Sequence, residues 1–281
     1  MPRFAANLSM LFADRPFLDR FEAAAKAGFS AVEFQFPYEW PAAELADRLD
    51  RWQLRAVLHN LPAGDWAAGE RGIACHPDRQ AEFREGVHRA LDYAQALGVR
   101  QLNCLAGVVP ADVSAEVAWS TLVNHVQYAA DVLEPHGMTL LLEPINTWDI
   151  PGFFLNRSDQ TIRLMDEVAA PNVKLQYDLY HAQRMEGELA ATLQRLLPRI
   201  GHIQLADNPG RHEPGTGEIH FRFLLDWLDR LGYAGWVGCE YRPADDGLLG
   251  TERGLGWLAD CGQPNALSTR SGVAGASIRT G

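Results

Sequence analysis

Short apolar segments and longer amphipathic segments alternate eight times along this chain. The short segments have the length and composition of buried strands. The longer ones repeat apolar residues at helical intervals, and several end at a glycine, which commonly caps a helix. The predicted strands lie near residues 4–8, 31–36, 54–59, 101–106, 139–143, 173–178, 202–206 and 236–241, and the predicted helices at 17–27, 77–97, 117–133, 159–168, 189–197 and 221–231.

Repeated strand–helix units imply parallel strands with right-handed crossovers, and eight of them favour a closed barrel over an open doubly wound sheet. The length of 281 residues suits one barrel of about 250 residues, although length alone also allows two small domains. No glycine-rich nucleotide-binding motif follows any of the strands. We therefore predict one α/β domain, a (β/α)8 TIM barrel over residues 1–258. Residues 259–281, rich in small polar residues and lacking periodicity, are predicted to form a disordered tail.

Charge and cysteine usage restrict the class of protein. The formal net charge of −11 disfavours nucleic acid and anionic membranes as partners. The four cysteines, Cys75, Cys104, Cys239 and Cys261, form no C-x-x-C pair, which argues against a disulfide framework or a zinc knuckle. The N-terminus lacks a signal-peptide pattern, and no apolar run reaches the ~18 residues of a membrane span. We expect a soluble cytoplasmic enzyme, with a homo-oligomer left open.

Four consecutive predicted strands, the fifth to the eighth, end in an oxygen-bearing side chain. These residues are Glu143, Asp178, Gln204 and Glu240. Barrel active sites lie at the C-terminal ends of the strands, so the four side chains are expected to converge. Three carboxylates and an amide suit a hard divalent cation such as Mg²⁺ or Mn²⁺, and without one the acids would raise each other's pKa values. The sequence therefore predicts a divalent metal site.

Three histidines lie close to these strand ends. His59 closes the third strand, and His181 follows Asp178 by three residues, so both are candidate substrate ligands. His202 precedes Gln204 by two residues and would point inward one layer deeper, as a structural residue or as support for the metal.

Two glycine-containing loops follow the third and the seventh strands. The first, residues 61–72, surrounds Trp66 with glycines and is a candidate lid, although an ordinary surface loop would read the same way. It carries Arg71, and the second loop, residues 208–218, carries Arg211. The two arginines are candidates for binding a small anionic substrate.

Several motifs together resemble the hydroxypyruvate isomerase family of the xylose-isomerase-like barrel superfamily. They are RFAANLSMLF at the N-terminus, HNLPAGDWAAGERG from His59, LLEPIN around Glu143, QYDLYH around Asp178, QLADNPGRHEPGTGEI from Gln204, and GWVGCEY around Glu240. The resemblance extends from residue 1 to about 258. It implies a keto-acid isomerase of glyoxylate metabolism that interconverts hydroxypyruvate and 2-hydroxy-3-oxopropanoate, with Glu143 and Glu240 as catalytic residues.

The resemblance also implies roles for individual residues. Related keto-sugar epimerases use Glu, Asp, His and Glu as metal ligands, and Gln204 stands here in place of the histidine. Their substrate-contacting histidine matches His181, and their loop arginine corresponds to Arg211 with a spacing that differs by one residue. A sister family, 2-oxotetronate isomerase, shares RFAANLSM and the barrel, so a four-carbon substrate stays open as the nearest alternative.

Isomerisation of a hydroxy keto acid needs proton transfer next to a carbonyl, through an enediol. Our hypothesis assigns Glu143 and Glu240 as the acid–base pair, in either order, and Asp178 and Gln204 as further metal ligands. A Schiff-base aldolase would need an inner lysine near the mouth, but Lys174 is ~13 Å deeper than Asp178 at the usual rise per strand residue. A metal-dependent endonuclease and a non-catalytic acid-binding barrel are the remaining rivals.

Overall fold

The computed structural model describes residues 2–260, in which eight parallel strands close into a barrel in chain order. The last strand pairs with the first, and every neighbouring pair is parallel. This confirms the predicted (β/α)8 fold. The strands are β1 (Arg3–Asn7), β2 (Ala31–Glu33), β3 (Arg55–Asn60), β4 (Gln101–Cys104), β5 (Thr139–Leu142), β6 (Val173–Asp178), β7 (Ile200–Leu205) and β8 (Trp236–Cys239).

The helices pack around the outside of the barrel. The six predicted helices are present with small shifts at their ends, and the predicted helix at 77–97 begins with a 3-10 turn. The helix at Ala42–Trp52 was not predicted, because only Leu45 and Leu49 give it a buried apolar face. The helices are α1 (Phe17–Lys26), α2 (Ala42–Trp52), α3 (Gln80–Leu97), α4 (Ala115–Leu133), α5 (Ser158–Val168), α6 (Leu179–Met185), α7 (Leu189–Leu196), α8 (Phe221–Leu231), α9 (Gly250–Gly254) and α10 (Gly256–Asp260).

Small and branched side chains fill the inside of the barrel below the functional end. One buried cluster includes Ala5 of β1, Ala31 of β2 and Leu141 of β5. Side chains alternate between the two faces of a strand, so the residues two positions later share the inner face. This periodicity places Asn7 and Glu33 above that apolar layer, at the end of the barrel where the strands finish.

The last described element lies at the predicted C-terminal boundary of the barrel. Helix α10 continues to Asp260, two residues beyond the predicted end of the barrel at 258. The rest of the predicted tail, residues 261–281, lies outside the described residues. Within residues 2–260, no helix is both long enough and apolar enough to cross a membrane.

Candidate active site

A cavity of about 490 Å³ opens at the C-terminal end of the barrel. Its wall brings together residues that follow β5 and β8 with residues of helix α6 and of the loops after β3 and β7. Asp178 and Gln204 are not part of the wall. Asp178 is ion-paired to Arg211 of the wall, and Gln204 is hydrogen-bonded to Glu33 behind it. The predicted site residues that line the cavity are Arg71, Glu143, His181, Arg211 and Glu240.

Glu143 follows β5, whose three leucines are fully buried in the barrel. One of its carboxylate oxygens, Oε2, accepts a hydrogen bond from Asn103 Nδ2 at 2.7 Å. Burial, with Glu240 and Asp178 nearby, raises the pKa of Glu143 well above its usual value. Burial and the neighbouring acids thus favour the protonated form of this carboxyl group.

Glu240 follows β8 and is anchored at both carboxylate oxygens. Oε1 accepts hydrogen bonds from Gln35 Nε2 at 2.8 Å and Asn7 Nδ2 at 3.2 Å. Oε2 accepts one from Arg211 Nη2 at 2.7 Å. Burial raises the pKa of Glu240 to about 7, although the Arg211 guanidinium opposes the rise. A carboxyl group with this pKa can both accept and donate a proton near neutral pH.

Asp178 ends β6 and caps α6, which explains why that helix begins at the next residue. Its Oδ1 accepts hydrogen bonds from the backbone N–H groups of Tyr180 at 2.7 Å and His181 at 3.3 Å. Its Oδ2 is buried without a hydrogen-bond partner in the described part of the chain, and Arg211 Nη2 lies 3.7 Å from it. Burial raises the pKa of Asp178, while Arg211 opposes the rise.

His181 has one defined tautomer because of its contact with Asn146. Asn146 Nδ2 lies 2.7 Å from His181 Nδ1, and Asn146 Oδ1 already accepts hydrogen bonds from the N–H groups of Trp148 and Asp149. The amide nitrogen therefore faces the ring, Nδ1 accepts, and the neutral ring carries its proton on Nε2. Burial lowers the pKa of His181 well below its usual value, so the ring stays neutral.

Glu143, Asp178 and His181 lie close together, and the two carboxylates are the candidate ligands for one cation, because His181 Nε2 carries a proton. Each offers one ligand atom, and these atoms lie within 4.8 Å of one another. The buried Asp178 Oδ2 without a hydrogen-bond partner is the kind of atom that a cation would satisfy. Buried oxygen ligands suit a hard divalent ion, so the residues present fit a metal site.

Gln204 is held by two neighbours. Its Nε2 donates to Glu33 Oε1 at 2.8 Å, and its Oε1 accepts from Gln176 Nε2 at 2.6 Å. The strand register pairs Gln204 with Asp178, so both lie at the same height in the barrel. His202 contacts the buried carboxylate of Glu33, and its Nε2 lies 2.7 Å from Glu33 Oε2.

The loop after β3 stands at the cavity mouth. Trp66 packs against Phe36 with ring centres 5.0 Å apart, and the Arg71 guanidinium lies 4.2 Å from the centre of the Trp66 ring. Arg71 Nη1 donates to the backbone carbonyls of Trp66 at 3.0 Å and Glu70 at 2.7 Å. Gly72 closes the loop at φ +117°, where a Cβ would overlap the Leu105 carbonyl. Contacts within its own loop thereby hold Arg71 at the cavity wall.

His59 is fully buried, and its neighbour Asn60 takes the place in the cavity wall. Its Nδ1 lies 3.1 Å from the Asn60 carbonyl oxygen, and burial lowers the pKa of His59 to about 4. The sequence predicted no role for Asn103, Asn146, Glu33 or Gln35. The sequence signal for these residues is a polar side chain inside or just after an apolar strand. For a neutral amide, this signal alone does not indicate a functional role.

Comparisons with known proteins identify the family of this chain. The family described as xylose isomerase-like TIM barrel matches residues 21–261. A hydroxypyruvate isomerase of Escherichia coli (strain K12) is 53% identical over 258 residues, covering 92% of this chain and 98% of the relative. A 2-oxo-tetronate isomerase of Cupriavidus necator is 51% identical over 258 residues, with the same coverage of 92% and 98%.

Solved structures give the same fold. A protein from Brucella melitensis, described as an AP endonuclease of family 2, superposes with a TM-score of 0.89 at 46% identity, covering 92% of this chain and 99% of that one. A 3-keto-D-glucoside 4-epimerase from E. coli superposes with a TM-score of 0.77 at 20% identity, covering 93% and 100%, which is a likeness of fold alone. The chain thus belongs to the xylose isomerase-like TIM barrel family.

Proposed function

We propose that this chain is an isomerase that interconverts hydroxypyruvate and 2-hydroxy-3-oxopropanoate. The observation that carries the proposal is the placement of Glu143 and Glu240. Both line one cavity, from strands that stand three positions apart around the ring, and both have raised pKa values. A small substrate between them can meet one carboxyl group on each side. The relatives named hydroxypyruvate isomerase and 2-oxo-tetronate isomerase support the class of reaction.

The reaction moves a carbonyl group by one carbon. A glutamate removes a proton from C3 of hydroxypyruvate, and the electron pair of that C–H bond forms an enediolate over C2 and C3. Protonation at C2, with transfer of the O3 hydroxyl proton to O2, gives 2-hydroxy-3-oxopropanoate. The base must be ionised and the acid protonated near neutral pH, and the raised pKa values of Glu143 and Glu240 support this pairing in either order.

Three side chains of the cavity wall orient the substrate in this proposal. Arg71 lines the cavity and forms no ion pair within residues 2–260, so its guanidinium can bind the substrate carboxylate. His181 presents an Nε2–H group that can donate to a substrate oxygen. Arg211 lies against Glu240 and places a positive charge where the enediolate forms.

The predicted metal set remains part of the proposal. Glu143, Asp178, Gln204 and Glu240 would hold the cation, which we propose to be Mg²⁺ or Mn²⁺. The cation would supply Lewis-acid polarisation of the substrate oxygens and offset the enediolate charge. The tautomer of His181 favours a hydrogen-bonding role for its Nε2 over metal ligation.

A four-carbon substrate is the second candidate, favoured by a relative of nearly equal identity, 51% against 53%. Both candidates share the enediolate chemistry and differ in the length of the acid.

A nuclease is disfavoured by the net charge of −11. A protein that only binds the acid would not exchange the C3 protons of hydroxypyruvate with solvent.

The test is a kinetic comparison of hydroxypyruvate with a 2-oxo-tetronate. The protein is first treated exhaustively with a chelator and then assayed with and without added Mg²⁺ or Mn²⁺, with products identified by NMR. We expect conversion of hydroxypyruvate with the higher kcat/KM, and stimulation by metal. A higher kcat/KM for the four-carbon acid would select the second candidate, and no conversion of either acid would reject both.

A further inference from the structure

Glu33, at the end of β2, is a fully buried carboxylate that no step described above uses. Its Oε1 accepts hydrogen bonds from Asn7 Nδ2 at 2.9 Å and Gln204 Nε2 at 2.8 Å. Its Oε2 lies 2.7 Å from His202 Nε2. A buried carboxylate is costly unless donors satisfy it, and here donors from β1 and β7 do so.

The barrel leaves space for this carboxylate. Strand β2 pairs with β1 and β3, so Glu33 reaches β7 and β8 across the barrel interior. On β8, a Cβ added at Gly238 would overlap both carboxylate oxygens of Glu33. Gly238 also pairs with Gln204 in the strand register. The absence of a side chain at 238 is thus matched to the position of the Glu33 carboxylate.

Glu33 determines which way two amides face. A carboxylate can only accept hydrogen bonds, so Gln204 must turn its Nε2 toward Glu33. The Gln204 carbonyl oxygen then faces β6, the strand that ends in Asp178. There it accepts one hydrogen bond from Gln176 and keeps a second lone pair. Asn7 is held in the same way, because its Oδ1 accepts from the Ser9 N–H at 3.1 Å while its Nδ2 reaches Glu33 and Glu240.

We propose that Glu33 is a positioning residue, which directs the carbonyl oxygen of Gln204 to the cation and holds Asn7 against Glu240. The inference rests on the proposed function, because it concerns the metal set of that function. It explains how a neutral amide can stand at the third ligand position. A carboxylate behind the amide nitrogen fixes its orientation and makes its oxygen a better donor to a cation.

The test replaces Glu33 by glutamine, which keeps the size of the side chain. Glutamine offers both a donor and an acceptor, so Gln204 is free to turn its nitrogen toward the cation. We expect Glu33→Gln to weaken Mn²⁺ binding by about 10–100-fold, the usual effect of losing such a partner. Mn²⁺ affinity is measured on chelator-treated protein by electron paramagnetic resonance of the free ion, and saturating Mn²⁺ should restore part of kcat.

Two further variants separate positioning from general stability. Tyr233→Phe removes the hydrogen bond from Tyr233 to the Trp236 carbonyl, at the opposite end of the barrel, and should leave Mn²⁺ affinity unchanged. Gly238→Ala should weaken Mn²⁺ binding in the same direction as Glu33→Gln, because its methyl group displaces the carboxylate. Circular dichroism identifies variants that do not fold, and Gly238→Ala carries the test if Glu33→Gln is among them.

The outcomes distinguish this inference from the proposed function. Wild-type protein that binds Mn²⁺ and isomerises hydroxypyruvate, together with a folded Glu33→Gln variant of equal Mn²⁺ affinity, would overturn the positioning role alone. A loss of Mn²⁺ affinity in Glu33→Gln that is no larger than the loss in Tyr233→Phe would overturn it as well. Wild-type protein that binds no Mn²⁺ would reject the metal in the proposed function and this inference together.

Discussion

The two halves of the barrel mouth carry different chemistry. The half built from β5 to β8 presents carboxylates with raised pKa values and the Arg211 guanidinium. The half built from β1 to β4 presents neutral amides at its strand ends, with Glu33 as its buried acid and Arg71 on the loop after β3. Its amides donate to the acids of the other half: Asn103 to Glu143, and Asn7 and Gln35 to Glu240.

The difference shows how a barrel can concentrate acids without fixing them in one protonation state. A hydrogen bond to an ionised carboxylate lowers its pKa, while burial and neighbouring acids raise it. Neutral amides supply the first effect without adding a charge that would compete for the substrate or a cation. In the proposed mechanism the β5–β8 half reacts, and the β1–β4 half holds the reacting groups in place.

The largest expected effect comes from the reactive half. Glu143→Gln and Glu240→Gln should each keep the fold but lower kcat for hydroxypyruvate by at least ~10²-fold, because each removes one proton-transfer group. Glu167→Gln, an acid on α5 outside the site, is the matched control and should have wild-type kcat. Steady-state kinetics with both single variants near wild-type rate would refute the acid–base assignment.

Substrate binding by Arg71, on the loop after β3, should give the next largest effect. Arg71→Leu removes a guanidinium from the cavity wall and should raise KM for hydroxypyruvate by about 10–100-fold, the size of a hydrogen bond to a charged group. We expect kcat to change much less, because within residues 2–260 Arg71 forms no hydrogen bond or ion pair with Glu143 or Glu240. Arg163→Leu, on α5, is the control. An unchanged KM in Arg71→Leu would remove Arg71 from the substrate site.

The holding half should give a smaller effect with a characteristic pH dependence. Asn103→Leu removes the hydrogen bond that lowers the pKa of Glu143, so that pKa should rise further. We expect kcat/KM to fall by about fivefold at neutral pH, as for a net loss of about 1 kcal/mol. The pH profile should move toward higher pH on its acid side. A loss of activity without any shift of the profile would indicate a purely structural role for Asn103.

The smallest effect concerns the stability of the metal-free protein. The pKa of Glu143 is raised in the folded state, so between its unfolded and folded pKa values the unfolded chain binds fewer protons. Stability should therefore fall as pH rises through this window. Glu143→Gln removes this penalty and should raise Tm by a few degrees at pH 8 and by less at pH 5. For a domain of this size, each kcal/mol of unfolding free energy shifts Tm by about 2–4 °C. Thermal melts in the presence of chelator compare the variant with the wild-type protein. A Tm of Glu143→Gln equal to or below that of the wild type at pH 8 would show that Glu143 carries no such penalty.

The comparison of the two halves also shows what the sequence could predict. Glu143, Asp178 and Glu240 stand out because each follows an apolar strand, and their convergence follows from the parallel barrel. The fold itself was predictable from the eight alternating units. The motifs that resemble the hydroxypyruvate isomerase family indicated the same three acids.

The holding half could not be predicted in this way. Asn103 reaches Glu143 because β4 and β5 pair with Asn103 opposite Leu141, two residues before Glu143, and such a register is not visible in either segment alone. The contact of Glu33 with Gln204 crosses the barrel interior and depends on the missing side chain at Gly238. Amides also occur at many neutral positions, so their presence near a strand end carries little information.

Isomerisation of hydroxypyruvate in D₂O, followed by NMR, tests most directly whether the two glutamates transfer the proton through an enediolate. Wild-type protein should form 2-hydroxy-3-oxopropanoate that carries solvent deuterium at C2, well above an enzyme-free control. Glu143→Gln and Glu240→Gln should each slow this incorporation at least ~10²-fold. A product free of solvent deuterium, or incorporation at the wild-type rate in both variants, would contradict the proposed mechanism.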